Sequence, residues 1–217
     1  INGAGIARDA AGRGLKVCLA EKGEIGGATS SWSTKLIHGG LRYLEKYDFK
    51  LVRESLKERE IIHNIAPTIT KPIPFIIPHS KNHRPAWLIK LGLLFYDNLA
   101  GKSVIPKSRS INLSKEFNNI LENKYLKGFL YYDIQVDDKL LTQLNAKDAK
   151  KNSAQIFENT KVLKVNRFED HWEIYLEGNK IIKSKILINA SGPWINETQK
   201  EIIKIKSKKS IRLVKGS

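Results

Sequence analysis

Apolar residues recur along this chain with helical and strand periodicities in alternation, and their order predicts an α/β protein. Residues 4–13 are rich in alanine and favour a helix, and residues 16–21 form a short apolar strand that ends at an acidic residue. Residues 48–64 predict a second helix, which Pro67 ends. In this helix the positions expected to face inward are Phe49, Val52, Leu56, Ile61 and Ile62, and those expected mostly outward are Arg53, Lys57, Glu58 and Arg59.

The middle of the chain combines extended and helical patterns. Three prolines within residues 72–78 predict an edge strand, because proline cannot donate a hydrogen bond to a sheet. Residues 86–99 predict a helix, and the following apolar side chains in it are expected in a core, with a membrane interface as the alternative: Trp87, Leu88, Leu91, Leu94 and Phe95. Residues 106–123 are polar and predict irregular structure.

The second half of the chain predicts one long strand, a helix and a meander. The strand covers residues 128–136, and Asp137-Asp138 caps a helix that reaches residue 151. Strands follow at residues 155–157, 160–168, 171–177 and 180–188, with tight turns between the last three. Residues 189–194 then form a strand end, a turn at Gly192 and a helix start. With the chain start, this gives two strand–glycine–helix junctions, where parallel sheets bind ligands.

The composition limits the class of protein. The 217 residues allow one large or two small domains, and no apolar run approaches the length of a spanning helix. The absence of Met and the start within a motif indicate an internal fragment. Because Cys18 is the single cysteine of the sequence, an internal disulfide is excluded and a reducing compartment is favoured. Cys18 is expected in a buried strand.

The formal net charge of +16 is compatible with nucleic acid, an acidic membrane or an anionic substrate. Lysine-rich solvated faces are the favoured interpretation, although Lys204, Lys206, Lys208 and Lys209 form a dense cluster. No metal site is predicted. The four histidines without metal-ligand spacing are expected at the surface or as satisfied polar groups: His63, His79, His83 and His171.

The first 21 residues have the order of a dinucleotide-binding motif. Gly3 corresponds to the third glycine of that motif, and Glu21 follows it at nearly the usual spacing. The helix N-terminus would hold a pyrophosphate, and the acid would accept hydrogen bonds from a ribose. Gly3 alone is equally compatible with an alanine-rich helix and a capping turn, so the assignment depends on Glu21 and on the next segment.

Residues 29–44 contain hydroxyls, a lysine, a histidine, two adjacent glycines, an arginine and a tyrosine. A segment that wraps a phosphorylated cofactor and then offers an arginine to an anionic substrate would use this mixture. A guanidinium such as Arg42 suits a phosphate dianion, because it binds two oxygens at once.

These segments resemble the N-terminal part of FAD-dependent glycerol-3-phosphate dehydrogenases. The resemblance covers residues 1–13 with Glu21, residues 29–45, 49–60, 84–87, 136–138, 189–194 and 211–217, in the family's order. It implies a Rossmann-like FAD-binding domain of the glutathione-reductase/D-amino-acid-oxidase type, with a β-meander and the start of an antiparallel substrate domain. The implied divisions are residues 1–70 and 136–205 for FAD binding, 71–135 for a substrate-domain insertion, and 206–217 for the second substrate-domain segment.

The resemblance also implies site residues. Those expected around FAD are Gly3, Glu21, Lys22, Thr29, Ser30, Ser33, Thr34, Lys35, His38, Gly39, Val162 and Gly192. Glu21 would hold the adenosine ribose, Val162 would lie near the adenine, and Gly192 would let the backbone approach the cofactor. Arg42 and Tyr43 would face the substrate and, with His38, form the catalytic set. His38 either assists removal of the hydroxyl proton or, as favoured, packs and hydrogen-bonds against the flavin.

The implied activity is oxidation of sn-glycerol 3-phosphate to dihydroxyacetone phosphate, with hydride transfer to FAD and electrons passed to a membrane quinone. The implied location is cytoplasmic, peripheral on the inner face of a bacterial membrane, with anionic lipid as partner, and the resemblance leaves a homodimer open. Competing interpretations are an oxygen-reducing oxidase for the same substrate, an amine- or hydroxy-acid-oxidising flavoprotein, and a basic nucleic-acid-binding module. The family's further substrate arginines would follow Ser217, so the fragment alone is expected to be inactive.

Overall fold

A computed structural model of the chain describes residues 1–80, 82, 84–99, 101–117, 125–204 and 211–212. Its α-helices are α1 Asn2–Gly12, α2 Phe49–Ile65, α3 Ala86–Asn98, α4 Leu113–Glu116, α5 Asp138–Lys151 and α6 Ile195–Glu197. Its strands are β1 Cys18–Ala20, β2 Leu36–Ile37, β3 Thr70–His79, β4 Arg109–Asn112, β5 Lys127–Val136, β6 Gln155–Phe157, β7 Val162–Arg167, β8 Trp172–Leu176 and β9 Lys180–Ser184. The predicted α/β class is confirmed.

The chain forms two compact units, and the boundary between them falls after Ser33. Unit 1 comprises Ile1–Ser33 with Asp138–Ser217, and unit 2 comprises Thr34–Asp137. Unit 2 is therefore inserted into the sequence of unit 1. The divisions at residues 70, 135 and 205 that the resemblance implies stay predictions.

Unit 1 contains the Rossmann-like elements and the meander. Strands β1 and β6 pair in parallel, with Cys18 opposite Gln155 and Ala20 opposite Phe157. Helices α1 and α5 pack together through small side chains, which allow close approach; the buried cluster consists of Ala7, Ala11, Ala149 and Ala154. Strands β7, β8 and β9 form an antiparallel meander around Val165, Ile174 and Leu176. The predicted order of elements from residue 138 to 184 is thereby confirmed.

Two predictions for unit 1 were wrong in detail. Cys18 is exposed rather than buried, because burial in this short strand falls on the two residues that follow it, Leu19 and Ala20. The last meander strand ends at Ser184 instead of residue 188, and the chain then runs irregularly to a 3-10 turn at Gly192–Trp194. That turn continues into α6 and a π-helical turn, Thr198–Ile203.

Unit 2 is built on a four-stranded antiparallel sheet with β5 at its centre. β3 pairs with β5 over the whole length of both strands, and β2 and β4 pair with the other side of β5. The proline-rich β3 thus lies at an edge, as predicted, where a missing N–H costs no ladder bond. Helix α2 starts where predicted, because the Asp48 side chain accepts a hydrogen bond from the Leu51 amide at 3.2 Å.

The predicted orientation of α2 was wrong at several positions. Arg59 was expected to face solvent but is only 4% exposed, whereas Phe49 and Ile61 were expected inside and are 44% and 48% exposed. The buried face follows Val52, Leu56 and Arg59, which are spaced by one and two helical turns. Arg59 is buried because it finds carboxylate partners inside unit 2, as described below.

Helix α3 also turns a different side inward from the one predicted. Its buried residues are Leu93 and Tyr96. The apolar residues predicted for the core are exposed, by 67% at Trp87, 41% at Leu88, 40% at Leu91, 59% at Leu94 and 48% at Phe95. Because α3 is apolar on more than one side, its pattern does not define a single face, and the buried Tyr96 fixes its rotation.

The segment predicted to be irregular contains a strand and a short helix. Ile111 in β4 and Leu113 in α4 are buried, and Asn112 caps α4 by accepting a hydrogen bond from the Lys115 amide. Several sequence features lie outside the described residues, namely residues 118–124, His83, the lysines at 206, 208 and 209, and residues 213–217.

The helices in the described part of the chain are too short or too polar to cross a membrane. Within the same residues no group of three metal-ligating side chains occurs. Three of the described histidines form local hydrogen bonds: His63 with the Thr70 hydroxyl, His79 with the Arg84 carbonyl and His171 with Asp170.

Candidate cofactor and substrate site

The two glycine junctions of unit 1 lie side by side. Gly3 is in the first turn of α1, and a Cβ built on it would lie 3.4 Å from the Ala190 Cβ and 3.5 Å from the Leu19 Cδ1. The first turn of α1 therefore adjoins β1 and the segment that leads to Gly192. The structure brings together two motifs that are almost the whole chain apart in sequence.

Glu21 and Ser30 lie close to the same end of α1. The Glu21 amide continues the β1–β6 pairing by donating to the Phe157 carbonyl at 2.8 Å, and its carboxylate accepts from the Gly23 amide at 3.0 Å. Glu21 lies near the Ile1 nitrogen, and the Ser30 hydroxyl lies 2.6 Å from that nitrogen, directly before α1. A carboxylate and a hydroxyl thus flank the N-terminus of α1.

Lys22 and Gly192 extend this cluster. The Lys22 ammonium lies 4.8 Å from the ring centroid of Trp194, so it is held by a cation–π contact. Gly192 has a φ of +58°, which favours glycine, and nothing lies within 4 Å of the position that its Cβ would take. The backbone is open at this position, and the approach of the cofactor to Gly192 stays a prediction. Thr29 opens an exposed 3-10 turn beside Ser30.

Ser33 and Val162 have other contacts in the structure. The Ser33 hydroxyl donates to the Asp138 carboxylate at 2.7 Å and so connects the end of the loop to the start of α5. Val162 packs on the apolar cluster of the meander. Their predicted contacts with the cofactor stay predictions.

The residues at the N-terminus of α1 fit a dinucleotide. No side chain caps α1 among the described residues, so the amides of its first turn can donate to a pyrophosphate. Glu21 supplies the acceptor that a ribose hydroxyl needs, and Gly192 leaves room for a flat ligand. The helix N-terminus, the acceptor and the open backbone are therefore groups that fit FAD, and their contact with the cofactor stays a prediction.

In unit 2 the remaining predicted residues lie on one continuous stretch. Thr34 and Lys35 are exposed, and Lys35 has a φ of +57°, a conformation that side chains rarely adopt. The Lys35 carbonyl accepts from the Val136 amide at 2.9 Å. His38 is exposed and lines an open cleft of about 410 Å³ together with Glu54 and Glu58 of α2.

Gly39 and Gly40 are required for different reasons. Gly39 is buried, and a Cβ on it would lie 2.2 Å from the Leu56 Cδ2 and 2.9 Å from the Tyr96 ring. Gly40 has a φ of +69° and reverses the chain into the 3-10 turn Leu41–Lys46. Sequence reasoning assigned Gly39 to the flavin, whereas the structure gives it a packing role. Contact of Gly39 with a cofactor stays a prediction.

The turn after Gly40 exposes the two residues predicted for the substrate. Arg42 has no ion pair among the described residues, which leaves its guanidinium available to an anion. Tyr43 is 42% exposed, and the Lys46 ammonium lies 6.0 Å from its ring centroid. Both side chains therefore stand on the 3-10 turn and are exposed at the surface of unit 2.

Behind this turn lies a buried polar network that sequence reasoning missed. The Tyr96 hydroxyl donates to the Asp133 carboxylate at 2.6 Å and accepts from the Gly39 amide at 2.8 Å. Arg59 binds Asp133 at 2.8 Å and Glu60 at 3.3 Å. Burial, together with the charge of Asp133, raises the pKa of Tyr96, so the phenol stays protonated. The sequence carried no signal for this network, because the helical pattern predicted Arg59 to face solvent.

Comparison with known proteins decides the family. The model of the family described as FAD dependent oxidoreductase, abbreviated DAO, matches residues 1–217. This chain belongs to the FAD-dependent oxidoreductases. The predicted membership in a family of FAD-dependent enzymes is therefore confirmed.

Among relatives of this FAD-dependent oxidoreductase, a D-erythritol 1-phosphate dehydrogenase from Brucella abortus is 46% identical over 100% of the chain and 44% of its own length. A glycerol-3-phosphate dehydrogenase from Pseudomonas aeruginosa is 43% identical over 100% of the chain and 43% of its own length. The chain thus spans less than half the length of the relatives it matches.

A solved structure has a similar fold. The glycerol-3-phosphate dehydrogenase from Bacillus halodurans, complexed with FAD, superposes with a TM-score of 0.61 at 26% identity, over 91% of this chain and 34% of that one. The prediction of an FAD-binding fold of this type is confirmed.

Proposed function

We propose that the complete protein containing this chain oxidises sn-glycerol 3-phosphate to dihydroxyacetone phosphate. The observation that carries the proposal is the 43% identity to the Pseudomonas aeruginosa glycerol-3-phosphate dehydrogenase along the whole chain. The exposed Arg42 on the 3-10 turn supports it, because a guanidinium binds two oxygens of a phosphate dianion. Membership in an oxidoreductase family favours this reading over a nucleic-acid-binding module.

The residues predicted for FAD would hold the cofactor, and Arg42 and Tyr43 would bind the substrate. The amides of the first turn of α1 would donate to the pyrophosphate, and Glu21 would accept from the ribose. When bound, the flavin supplies the acceptor for the hydride from C2. Arg42 would orient the substrate through its phosphate. His38 would hydrogen-bond near the reacting centre, and its exposure also leaves it free to take the hydroxyl proton.

D-Erythritol 1-phosphate is the second candidate substrate. The 46% identity to the Brucella abortus dehydrogenase favours it. Both compounds are polyols with a terminal phosphate monoester, so Arg42 would suit either one. They differ in length by one hydroxylated carbon. Residues other than those of the turn that carries Arg42 would have to discriminate between the two substrates.

The test is a substrate panel on the purified complete protein. We expect a yellow protein with a flavin absorption spectrum and a kcat/KM for glycerol 3-phosphate that exceeds those for D-erythritol 1-phosphate and for amino acids. A higher kcat/KM for D-erythritol 1-phosphate would transfer the proposal to the second candidate. Activity on amino acids with none on either phosphate would refute both.

A membrane quinone is the proposed electron acceptor, with molecular oxygen as the alternative. The two are separated by measuring turnover with a short-chain quinone under nitrogen and, independently, oxygen consumption in air. Turnover with quinone that exceeds oxygen consumption at least tenfold is expected. The opposite ratio would identify an oxidase.

Peripheral attachment to the cytoplasmic membrane is proposed with the exposed face of α3 as the docking surface. Trp87 and Leu94 are the most exposed of its large apolar residues, and Lys90 lies on the same helix. Such a helix can insert apolar side chains at the lipid interface while lysine contacts anionic headgroups. The net charge of +16 acts in the same direction.

The attachment is tested by sedimentation with phosphatidylglycerol vesicles. A Trp87→Ser/Leu94→Ser variant should lose most of its binding, whereas Ile61→Ser, which changes an exposed apolar residue of α2, should keep it. Equal binding of both variants would exclude the α3 face.

A further inference from the structure

Tyr96 is the centre of the buried network in unit 2. Its side chain is 2% exposed, its ring meets that of Tyr131 edge-on with centroids 6.1 Å apart, and the Arg59 guanidinium lies 5.5 Å from its centroid. It is the one described side chain that bonds the Gly39 amide. It therefore connects helix α3 to the stretch that carries the predicted active-site residues.

The direction of each hydrogen bond in the network is determined. Asp133 is paired with Arg59, so its carboxylate is an acceptor only. The Tyr96 hydroxyl must then give its proton to Asp133, at 2.6 Å, which leaves its oxygen to accept from the Gly39 amide. The direction of both Tyr96 bonds is thereby fixed, while Nη1 of Arg59 also donates to the Tyr132 carbonyl at 3.1 Å.

The stretch around Gly39 is held by this bond and by packing. Gly39 is buried against Leu56, and Gly40 turns the chain in a left-handed conformation. On one side of this anchor stands His38, exposed at the cleft, and on the other stands Arg42, exposed on the 3-10 turn. A rotation of the Gly39 peptide would move both side chains, because both are attached directly to the anchored segment.

We propose that Tyr96 is a positioning residue of the active site, which fixes the Gly39 peptide and thereby orients His38 and Arg42. The proposal rests on the proposed function for the identity of the substrate, but the anchoring itself is independent of it. Tyr96 would act through Gly39 and touch neither substrate nor flavin.

The test variant is Tyr96→Phe in the complete flavoprotein. It removes the hydroxyl and keeps the ring that packs on Val52 and Leu56. The matched control is Tyr131→Phe, since Tyr131 belongs to the same aromatic cluster and its hydroxyl makes no hydrogen bond among the described residues. Asp133 is not a suitable target, because its removal would leave Arg59 buried without its closest partner.

The first readout is hydrogen–deuterium exchange of the peptide that contains Gly39. In Tyr96→Phe this amide should exchange at least about tenfold faster, whereas Tyr131→Phe should match the wild type. The second readout is steady-state kinetics per bound flavin. A misplacement of about 1 Å can cost about 100-fold in rate, so kcat/KM should fall by about 10- to 100-fold in Tyr96→Phe with flavin content retained.

The outcomes separate this inference from the proposed function. Faster exchange with unchanged kinetics on an active wild type would overturn the positioning role and leave the proposed function intact. Unchanged exchange would overturn the anchoring itself. If the wild type does not oxidise glycerol 3-phosphate, the proposed function fails. The role of Tyr96 is then decided by the same exchange measurement and by kinetics with the substrate that the panel identifies. Equal losses of kcat/KM in Tyr96→Phe and Tyr131→Phe would show that Tyr96 has only a structural role.

Discussion

The substitution Gly39→Ala tests whether packing or the cofactor requires glycine at this position. The added Cβ would lie 2.2 Å from the Leu56 Cδ2 and 2.5 Å from its Cγ. Carbon atoms normally stay about 3.5–4.0 Å apart, so the Leu56 side chain would have to move by more than about 1 Å. Leu56 is fully buried between Val52 and Tyr96 and has little room to move.

Overpacking of a core by one methyl group costs about 1–3 kcal/mol of the free energy of unfolding, and this site should lie at the upper end. The control is Gly92→Ala, which lies within α3 and whose Cβ would meet nothing within 4 Å. That change should stabilise the protein by up to about 1 kcal/mol, because alanine favours helix. The two variants thus add the same methyl group with opposite expected signs.

The assay is urea unfolding of the complete protein, followed together with flavin content. A Gly39→Ala variant that is as stable as Gly92→Ala would refute the packing argument. If it were also colourless, the sequence-based assignment of Gly39 to the flavin would be the better explanation. The double variant with Leu56→Ala provides a further check, since the two changes should cost less together than the sum of their separate effects.

Further predictions concern the substrate, the cofactor and the buried network. In steady-state kinetics, Arg42→Ala should lower kcat/KM for glycerol 3-phosphate about 100-fold with flavin retained, because hydrogen bonds to a charged group contribute about 1.5–3 kcal/mol. An unchanged kcat/KM would show that Arg42 does not bind the substrate. Glu21→Gln should weaken FAD binding, measured as flavin lost on dialysis, and full retention would contradict the ribose contact. Arg59→Ala should destabilise unit 2 by about 3–5 kcal/mol in thermal unfolding, since it leaves Asp133 buried and unpaired, and a loss below about 1 kcal/mol would contradict that account. The pKa of Tyr96 in the folded protein is raised above the unfolded value of about 10. As the pH rises above about 10, the free energy of unfolding of the wild type should therefore fall relative to that of Tyr96→Phe, by about 1.4 kcal/mol per pH unit. If urea unfolding gave the same difference between the two proteins at every pH, this account would be refuted.

Local signals in the sequence were sufficient for most elements of the fold. Asp48 marks the start of α2, and the prolines of β3 mark an edge strand, because each acts through its own backbone. The approach of Gly3 to the segment before Gly192 agrees with the predicted pair of glycine junctions, although that segment is irregular and lies outside the parallel β1–β6 pair.

The interior of unit 2 could not be predicted in the same way. Arg59 and Asp133 are far apart in the sequence, so nothing near Arg59 shows that a buried charge will be paired. Trp87 and its neighbours were expected inside because helix periodicity identifies an apolar face without showing what covers it. Likewise, two adjacent glycines do not reveal that one is needed for its conformation and the other for lack of space.

The insertion of unit 2 into unit 1 affects how the protein must be made. Strand β1 pairs with β6, and α1 packs on α5, yet all of unit 2 is synthesised between these partners. At about 5–20 residues per second, a ribosome needs on the order of 10 seconds to pass from Ala20 to Gln155. A helix such as α1 can form in about a microsecond, so its alanine face stays uncovered for most of that interval. The N-terminal part of unit 1 is therefore exposed to chaperones and to misassembly until α5 and β6 have emerged from the ribosome.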